Sequence, residues 1–268
     1  MTNYLIMLFH FTKYFVLHAK SLYTEEVDKE QTIPLLKLLT ESGIGSRRKM
    51  ADAIRNGRLK VNGTIAEDFR LPVNIRTGCI QLDDKPINLV AQKSVCLMLN
   101  KPKGVLSTTE DERGGRTVLD MLPEKYHRFR LYPVGRLDKD TTGLLLLTND
   151  GALTNRLTHP RYEHEKEYLV QIPGKLTQAQ KHKLEQGILL DEGLTSPAGI
   201  KEVALKPYNY SITIHEGKKR QIRRMFAHLG YQVLALKRAR IGNLTLGELK
   251  EGQVRELTAR EVARLLER

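Results

Sequence analysis

The sequence predicts an α+β protein made of a small basic unit and a larger sheet-bearing one, and three observations carry that prediction. Hydrophobic periodicity changes from helical to alternating within residues 33–88. From about Ser94 onward, strand-like and helix-like segments alternate irregularly, without the strict rhythm of a βαβ fold. Leu144 to Leu147 form an unbroken apolar run of strand length, as expected for a strand buried on both faces. With 268 residues, 40% of them hydrophobic, the chain can bury one core of ordinary size and a satellite.

The elements follow in order. Residues 1–32 read as an extension, disordered or the product of a mis-assigned start. Their apolar stretch is interrupted by Lys13 and lacks a basic leader or a cleavage site, so it is too broken for a transmembrane helix or a secretory signal. A membrane-adsorbing segment is the alternative. Residues 33–90 form the first unit. Pro34 suits a first helical turn, Leu35, Leu36, Leu38 and Leu39 supply an apolar face, and Gly43 ends it. Ser46 caps a second helix with Met50, Ala53 and Ile54 at helical spacing and Gly57 beyond it, which turns Arg47, Arg48 and Arg55 outward. Leu59 and Val61 then alternate with basic residues, Asn62-Gly63 is a hairpin turn, and Ile65 begins the return strand.

Residues 94–268 form the second unit. A strand at residues 95–99 runs into the Lys-Pro-Lys-Gly turn at 101–104. Asp138 and Asp140 precede the 144–147 strand in a loop between glycines, and Asp150 caps the helix that follows. Thr258 and Glu261 form a capping box on a final helix over residues 258–267.

Charge and cysteines bound the function. The 44 Lys and Arg against 31 Asp and Glu give a net charge of +13, which attracts polyanions and makes nucleic acid the leading partner class. Between residues 33 and 60 there are seven basic residues and two acidic ones, and residues 217–240 hold eight basic residues and no acid. Met225, Phe226 and Leu229 turn one face of the intervening helix inward and leave Arg224 solvated. Cys79 and Cys96 sit in apolar runs outside any metal or redox spacing and read as buried thiols, and the histidines show no zinc spacing, so no metal is implied. The Asp138–Asp140 loop could still hold Mg²⁺ through two carboxylates. A carboxylate at the mouth of a buried strand beside Arg136 is equally a polar site on a rigid support.

The segment "SGIGSRRKMADAIRNGRLKVNG", residues 42–63, resembles the ribosomal protein S4-like RNA-binding domain, a small α/β module. "GRLDKDTTGLLLLTNDG" at 135–151, with "LNKPKG" at 99–104 and "GKKRQIRRMFAHLG" at 217–230, resembles the RsuA-type pseudouridine synthases, nearest their RluB-like branch. The likeness covers nearly the whole chain from Ile33 and does not need the first thirty residues. It implies a mixed, largely antiparallel central sheet in the second unit and the isomerisation of uridine to pseudouridine in ribosomal RNA. A large-subunit hairpin or assembly intermediate is implied more than a small-subunit target, with a non-catalytic ribosome-assembly factor as the rival. It also implies a cytoplasmic monomer that needs no cofactor.

Carried over by position, Asp138 matches the catalytic aspartate, Arg136 the basic residue that displaces the target base, and Tyr168 the tyrosine that stacks on the base and helps deprotonate it. Arg223 matches the basic residue that pairs with the carboxylate. Lys101, Arg220, Arg47, Arg48 and Lys60 are expected to hold RNA.

Overall fold

The computed structural model describes residues 32–89 and 92–267, so the expected extension at 1–32 lies almost wholly outside the described residues. The chain divides into two units, residues 1–92 and 93–268.

In the first unit, β1 (Thr32–Pro34) leads into α1 (Leu35–Glu41), so Pro34 sits just before the helix and not in its first turn. The N–H groups of Leu35 and Leu36, which a helix start leaves without intrahelical partners, donate to the carbonyls of Leu71 and Phe69. α2 (Arg47–Arg55) begins at Ser46, whose hydroxyl accepts from the Lys49 N–H. The four leucines of α1 pack with Met50, Ala53 and Ile54 into one core. β2 (Leu59–Val61) and β3 (Thr64–Ile65) form the expected hairpin, and both turn residues, Asn62 and Gly63, have positive φ as a two-residue hairpin demands. β4 (Pro72–Asn74) pairs with β1, while β5 (Ile80–Leu82) and β6 (Lys85–Pro86) extend the β2–β3 sheet. Cys79 precedes β5 at the surface and is exposed, against the expectation of a buried thiol; the buried position of that run belongs to Ile80.

The second unit is organised by a nine-stranded sheet among the described residues. Its principal strands are β7 (Cys96–Lys101), β9 (Thr142–Thr148), β10 (Lys166–Gln171), β13 (Gly199–Leu205), β14 (Tyr208–Ile214), β15 (Ala235–Ile241) and β17 (Val254–Glu256). They lie in the order β13-β14-β10-β15-β9-β7-β17, with β8 (Tyr132–Val134) on β9 and β16 (Leu244–Thr245) on β15; β11 (Leu189–Leu190) and β12 (Gly193–Leu194) form a separate hairpin. Every pairing in the sheet is antiparallel except β9 with β15, so the sheet is mixed and largely antiparallel as expected.

β9 sits near the middle and is buried on both faces. Leu145 and Leu147 join one core with Ile222, Met225 and Phe226 of α5 (Gln221–His228) and Leu184 of α4 (Gln178–Gln186). Leu144 and Leu146 join a second core with Leu153 and Leu157 of α3 (Gly151–Thr158) and Leu265 of α6 (Ala259–Leu266). Each leucine fully buried in this way contributes about 1.5–3 kcal/mol. The Asp150 carboxylate caps α3, and the Thr258–Glu261 capping box starts α6, both as the sequence predicts. Cys96 lies inside the second core, where burial pushes its thiol up to about 12 and leaves it unreactive.

Candidate active site

The loop between β8 and β9, residues 135–141, carries Asp138, and neighbouring groups fix its backbone at five points. The buried Ser107 hydroxyl donates to the Leu137 carbonyl at 2.9 Å and accepts from the Leu137 N–H at 3.2 Å. The Gly104 N–H donates to the Lys139 carbonyl at 2.9 Å. Lys101 Nζ donates to the carbonyls of Thr141 at 2.9 Å and Lys139 at 3.3 Å, besides that of Pro102 at 3.0 Å. Arg223 Nη2 donates to the Asp140 carbonyl at 3.1 Å, and the Thr141 N–H closes a turn onto the Asp138 carbonyl at 3.0 Å. With so many backbone groups committed, the loop presents the Asp138 side chain from a rigid frame.

That side chain lines a cleft with Arg136, Tyr168, Lys218, Arg220 and Gln221, floored by Leu137, Ile214, Ile222 and Leu236. Asp138 and Tyr168 come from distant strand contexts, the β8–β9 loop and β10, and the sheet brings them together. Tyr168 is 8% exposed, and its hydroxyl accepts weakly, at 3.5 Å, from Arg238 Nη1. The Asp138 carboxylate is half-buried and makes no hydrogen bond or ion pair among the described residues, so both oxygens remain open to the cleft.

The structure corrects three sequence expectations. Arg223 does not pair with Asp138; its guanidinium donates to the Asp140 and Val233 carbonyls, because the start of α5 lies against the loop backbone and the β15 approach. Burial and the repulsion of Arg220 lower the Arg223 pKa, while Asp138 and Asp140 act electrostatically in the opposite sense. Lys101 cannot hold RNA: it is fully buried, with its ammonium turned onto three carbonyls, and burial outweighs the attraction of Asp140 and Asp138 to bring it down to about 8. Arg224 is not merely solvated, because it is ion-paired with Asp191 and Glu192 on the turn between β11 and β12.

Two further expectations change in degree. The basic run of residues 217–240 is largely consumed by the fold, since Lys218 binds the Gly193 and Leu194 carbonyls and Arg240 pairs with Glu165 and Glu167. Lys219 and Arg220 stay exposed. In the first unit Arg47 and Arg48 project from α2 into solvent, whereas Lys60 is ion-paired with Asp84 at 2.6 Å. Asp140 is exposed, its carbonyl held by Arg223, and no three His, Cys, Asp or Glu side chains group to hold a metal among the described residues.

Ser107 and Gln221 escaped sequence reading. Gln221 is buried at the cleft wall, donating to Glu216 and accepting from the Lys218 N–H. Nothing in a lone serine or glutamine signals such a role, whereas Lys166 could have been noticed, since strand alternation puts it on the face of Tyr168 and Val170.

The comparisons with known proteins identify the family of each unit. Residues 95–228 match the RNA pseudouridylate synthase family, and residues 33–74 match the S4 domain. The chain is 41% identical over 235 residues to ribosomal large subunit pseudouridine synthase B of Bacillus subtilis (strain 168), covering 86% of this chain and 94% of that one. It is 39% identical to an uncharacterized RNA pseudouridine synthase of Aquifex aeolicus, covering 85% and 92%. A solved pseudouridylate synthase superposes with a TM-score of 0.62 at 34% identity, covering 87% of this chain and 99% of that chain. A rigidly framed aspartate facing a tyrosine across a basic cleft, on a sheet of this topology and with these relatives, places the chain in the RNA pseudouridylate synthase family, joined to an S4 domain.

Proposed function

We propose that the protein isomerises one or more uridines of large-subunit ribosomal RNA in the cytoplasm, with Asp138 as the reacting carboxylate. The observation that carries this reading is the unpartnered Asp138 carboxylate, carried on a loop whose backbone is held from several sides and open to a cleft that Tyr168 and Arg220 share. The reaction breaks the bond from ribose C1′ to N1, forms one from C1′ to C5, releases the C5 proton and protonates N1. There is no net redox change. It needs a carboxylate at the reacting carbon, a base for the C5 proton and walls that keep the freed uracil in place.

Asp138 serves the first need and Tyr168 faces the base as stack and proton acceptor. Arg136 and Arg220 at the rim hold the extruded nucleotide, whose unstacking costs a few kcal/mol that RNA binding must supply. Arg223 acts through the loop, holding the Asp140 carbonyl so that Asp138 keeps its aim. Arg47 and Arg48 of the S4 domain add phosphate contacts. The large-subunit target follows the name of the Bacillus subtilis relative.

The test is a map of pseudouridine in ribosomal RNA from cells with and without the protein, repeated with Asp138→Asn. The variant should lose product by about a thousandfold or more while its affinity for RNA stays nearly unchanged. A parent protein that leaves every uridine unmodified would instead favour a ribosome-assembly factor.

A further inference from the structure

Beside the Asp138 cleft lies a second cavity of about 360 Å³ that the catalytic reading leaves unused. Arg136, Tyr168 and Gly217 line both cavities, so the two adjoin with Tyr168 as a shared wall. Their floors differ. The first is laid on the core of Leu137, Ile222 and Leu236, the second on the opposite core, through Val134, Leu146, Leu157 and Ile241.

The polar wall of the second cavity is cationic. Lys166 and Arg238 both line it, and the side-chain hydrogen bonds of both go to carbonyls and the Tyr168 hydroxyl, with no carboxylate partner among the described residues. Lys166 Nζ donates to the His164 carbonyl at 3.1 Å. Arg238 is 3% exposed; its Nε donates to the Leu144 carbonyl at 2.7 Å, and its Nη2 has no partner. Burial, reinforced by Arg238, draws the Lys166 ammonium down to about 8. Glu216, the carboxylate that lines the cavity, is engaged by the Ser196 N–H and the Gln221 amide and does not neutralise the pair. Two desolvated cations held together without a counter-charge attract an anion strongly, and an aliphatic floor beside them favours a flat apolar face. The volume falls in the range of about 300–1,000 Å³ typical of small-ligand sites.

We propose that this cavity is a subsite for the nucleotide next to the target uridine, with its phosphodiester on Lys166 and Arg238 and its base on the Leu146–Leu157 floor. The inference rests on the reading of the chain as an enzyme that acts on an RNA strand and adds a second recognised nucleotide. The protein then selects a pair of unstacked nucleotides, one in each cavity, divided by Tyr168. Selection by context and not by the target base alone follows from that arrangement.

The experiment uses full-length Asp138→Asn protein at low ionic strength and three probes: uridylyl-3′,5′-uridine, uridine alone and inorganic phosphate. Binding is followed through the methyl NMR signals of Leu146, Leu157, Ile214 and Ile222. The dinucleotide should move all four sets and uridine only those of Ile214 and Ile222. Lys166→Met should weaken dinucleotide binding about tenfold. A dinucleotide with a neutral methylphosphonate linkage should lose about as much on the Asp138→Asn protein with Lys166 intact, a check that does not depend on the Lys166 variant folding.

Unmoved Leu146 and Leu157 signals, or equal affinity for the neutral linkage, would overturn the proposal. So would inorganic phosphate alone saturating the site, which would mark it as a free-anion site. None of these readings depends on turnover: missing pseudouridine in ribosomal RNA would sink the catalytic reading, whereas silent Leu157 signals beside normal modification would sink this one.

Discussion

The Lys101 ammonium is held wholly inside the protein by three carbonyls, two of them in the loop that carries Asp138. Lys101→Met keeps the apolar stem and removes the donors, taking the ammonium from the Pro102 and Thr141 carbonyls and leaving the Lys139 carbonyl with the Gly104 N–H alone. A loss of about 2–4 kcal/mol is expected in denaturant unfolding, together with a lower kcat at unchanged RNA affinity because the loop loosens. The residue also makes stability pH-dependent. In the unfolded chain it titrates near the model value of 10.5 and in the folded protein at about 8, so between those values the unfolded chain holds a proton that the folded one has shed. Stability contributed by this group therefore rises with pH across that window. The parent should gain on Lys101→Met between pH 8 and 10, measured by unfolding midpoints; a constant difference would show that the lysine is not desolvated. Tyr168→Phe keeps the ring that walls both cavities and removes the hydroxyl. Single-turnover rates should fall about a hundredfold with affinity retained, and undiminished turnover would confine Tyr168 to stacking.

At the scale of elements, the single parallel pairing in the sheet decides the position of the site. β9 and β15 meet through Arg238↔Gly143, immediately after the Asp138 loop. Gly143 has φ +102, and a Cβ there would lie 2.3 Å from the Arg238 carbonyl oxygen and 2.7 Å from its nitrogen, both backbone atoms in mid-strand. Neither can yield without separating the strands. Gly143→Ala should cost about 3 kcal/mol or more and abolish turnover, read by thermal unfolding and product formation. A stable, active variant would show that the pairing is more pliant than its geometry implies. On its other edge β15 pairs with β10 and sets Arg238 opposite Tyr168, so the strand that packs on Gly143 also carries the cation behind Tyr168.

For the whole molecule, the count of 44 Lys and Arg overstates the cations available to RNA, since Arg58, Lys60, Arg224 and Arg240 are ion-paired and Lys101 is buried on carbonyls. Arg47 and Arg48 remain exposed on α2 without a carboxylate among the described residues. Each phosphate contact contributes about 0.7–0.9 to the slope of log affinity against log salt. The double variant Arg47→Ala, Arg48→Ala should therefore flatten that slope by about 1.4–1.8 with an unchanged single-turnover rate at saturating protein. An unaltered slope would remove α2 from the RNA-binding surface.

The sequence by itself determined the two-unit α+β plan, the capped starts of α2, α3 and α6, the Asn62-Gly63 hairpin and the β9 strand. These follow from local periodicity and from side chains that satisfy backbone groups a few residues away. Ordered motifs also singled out Asp138 and Tyr168 for one site. Only the tertiary structure decided which cations face solvent and which are committed to the frame. Lys101, Arg223 and Arg238 look alike in sequence to Arg47 and Arg48, yet their partners are carbonyls contributed by distant strands and loops. A side chain's charge is written in its residue type. Whether that charge meets RNA, a carboxylate or a buried carbonyl depends on which segments the sheet lays beside it, and no local pattern specifies that.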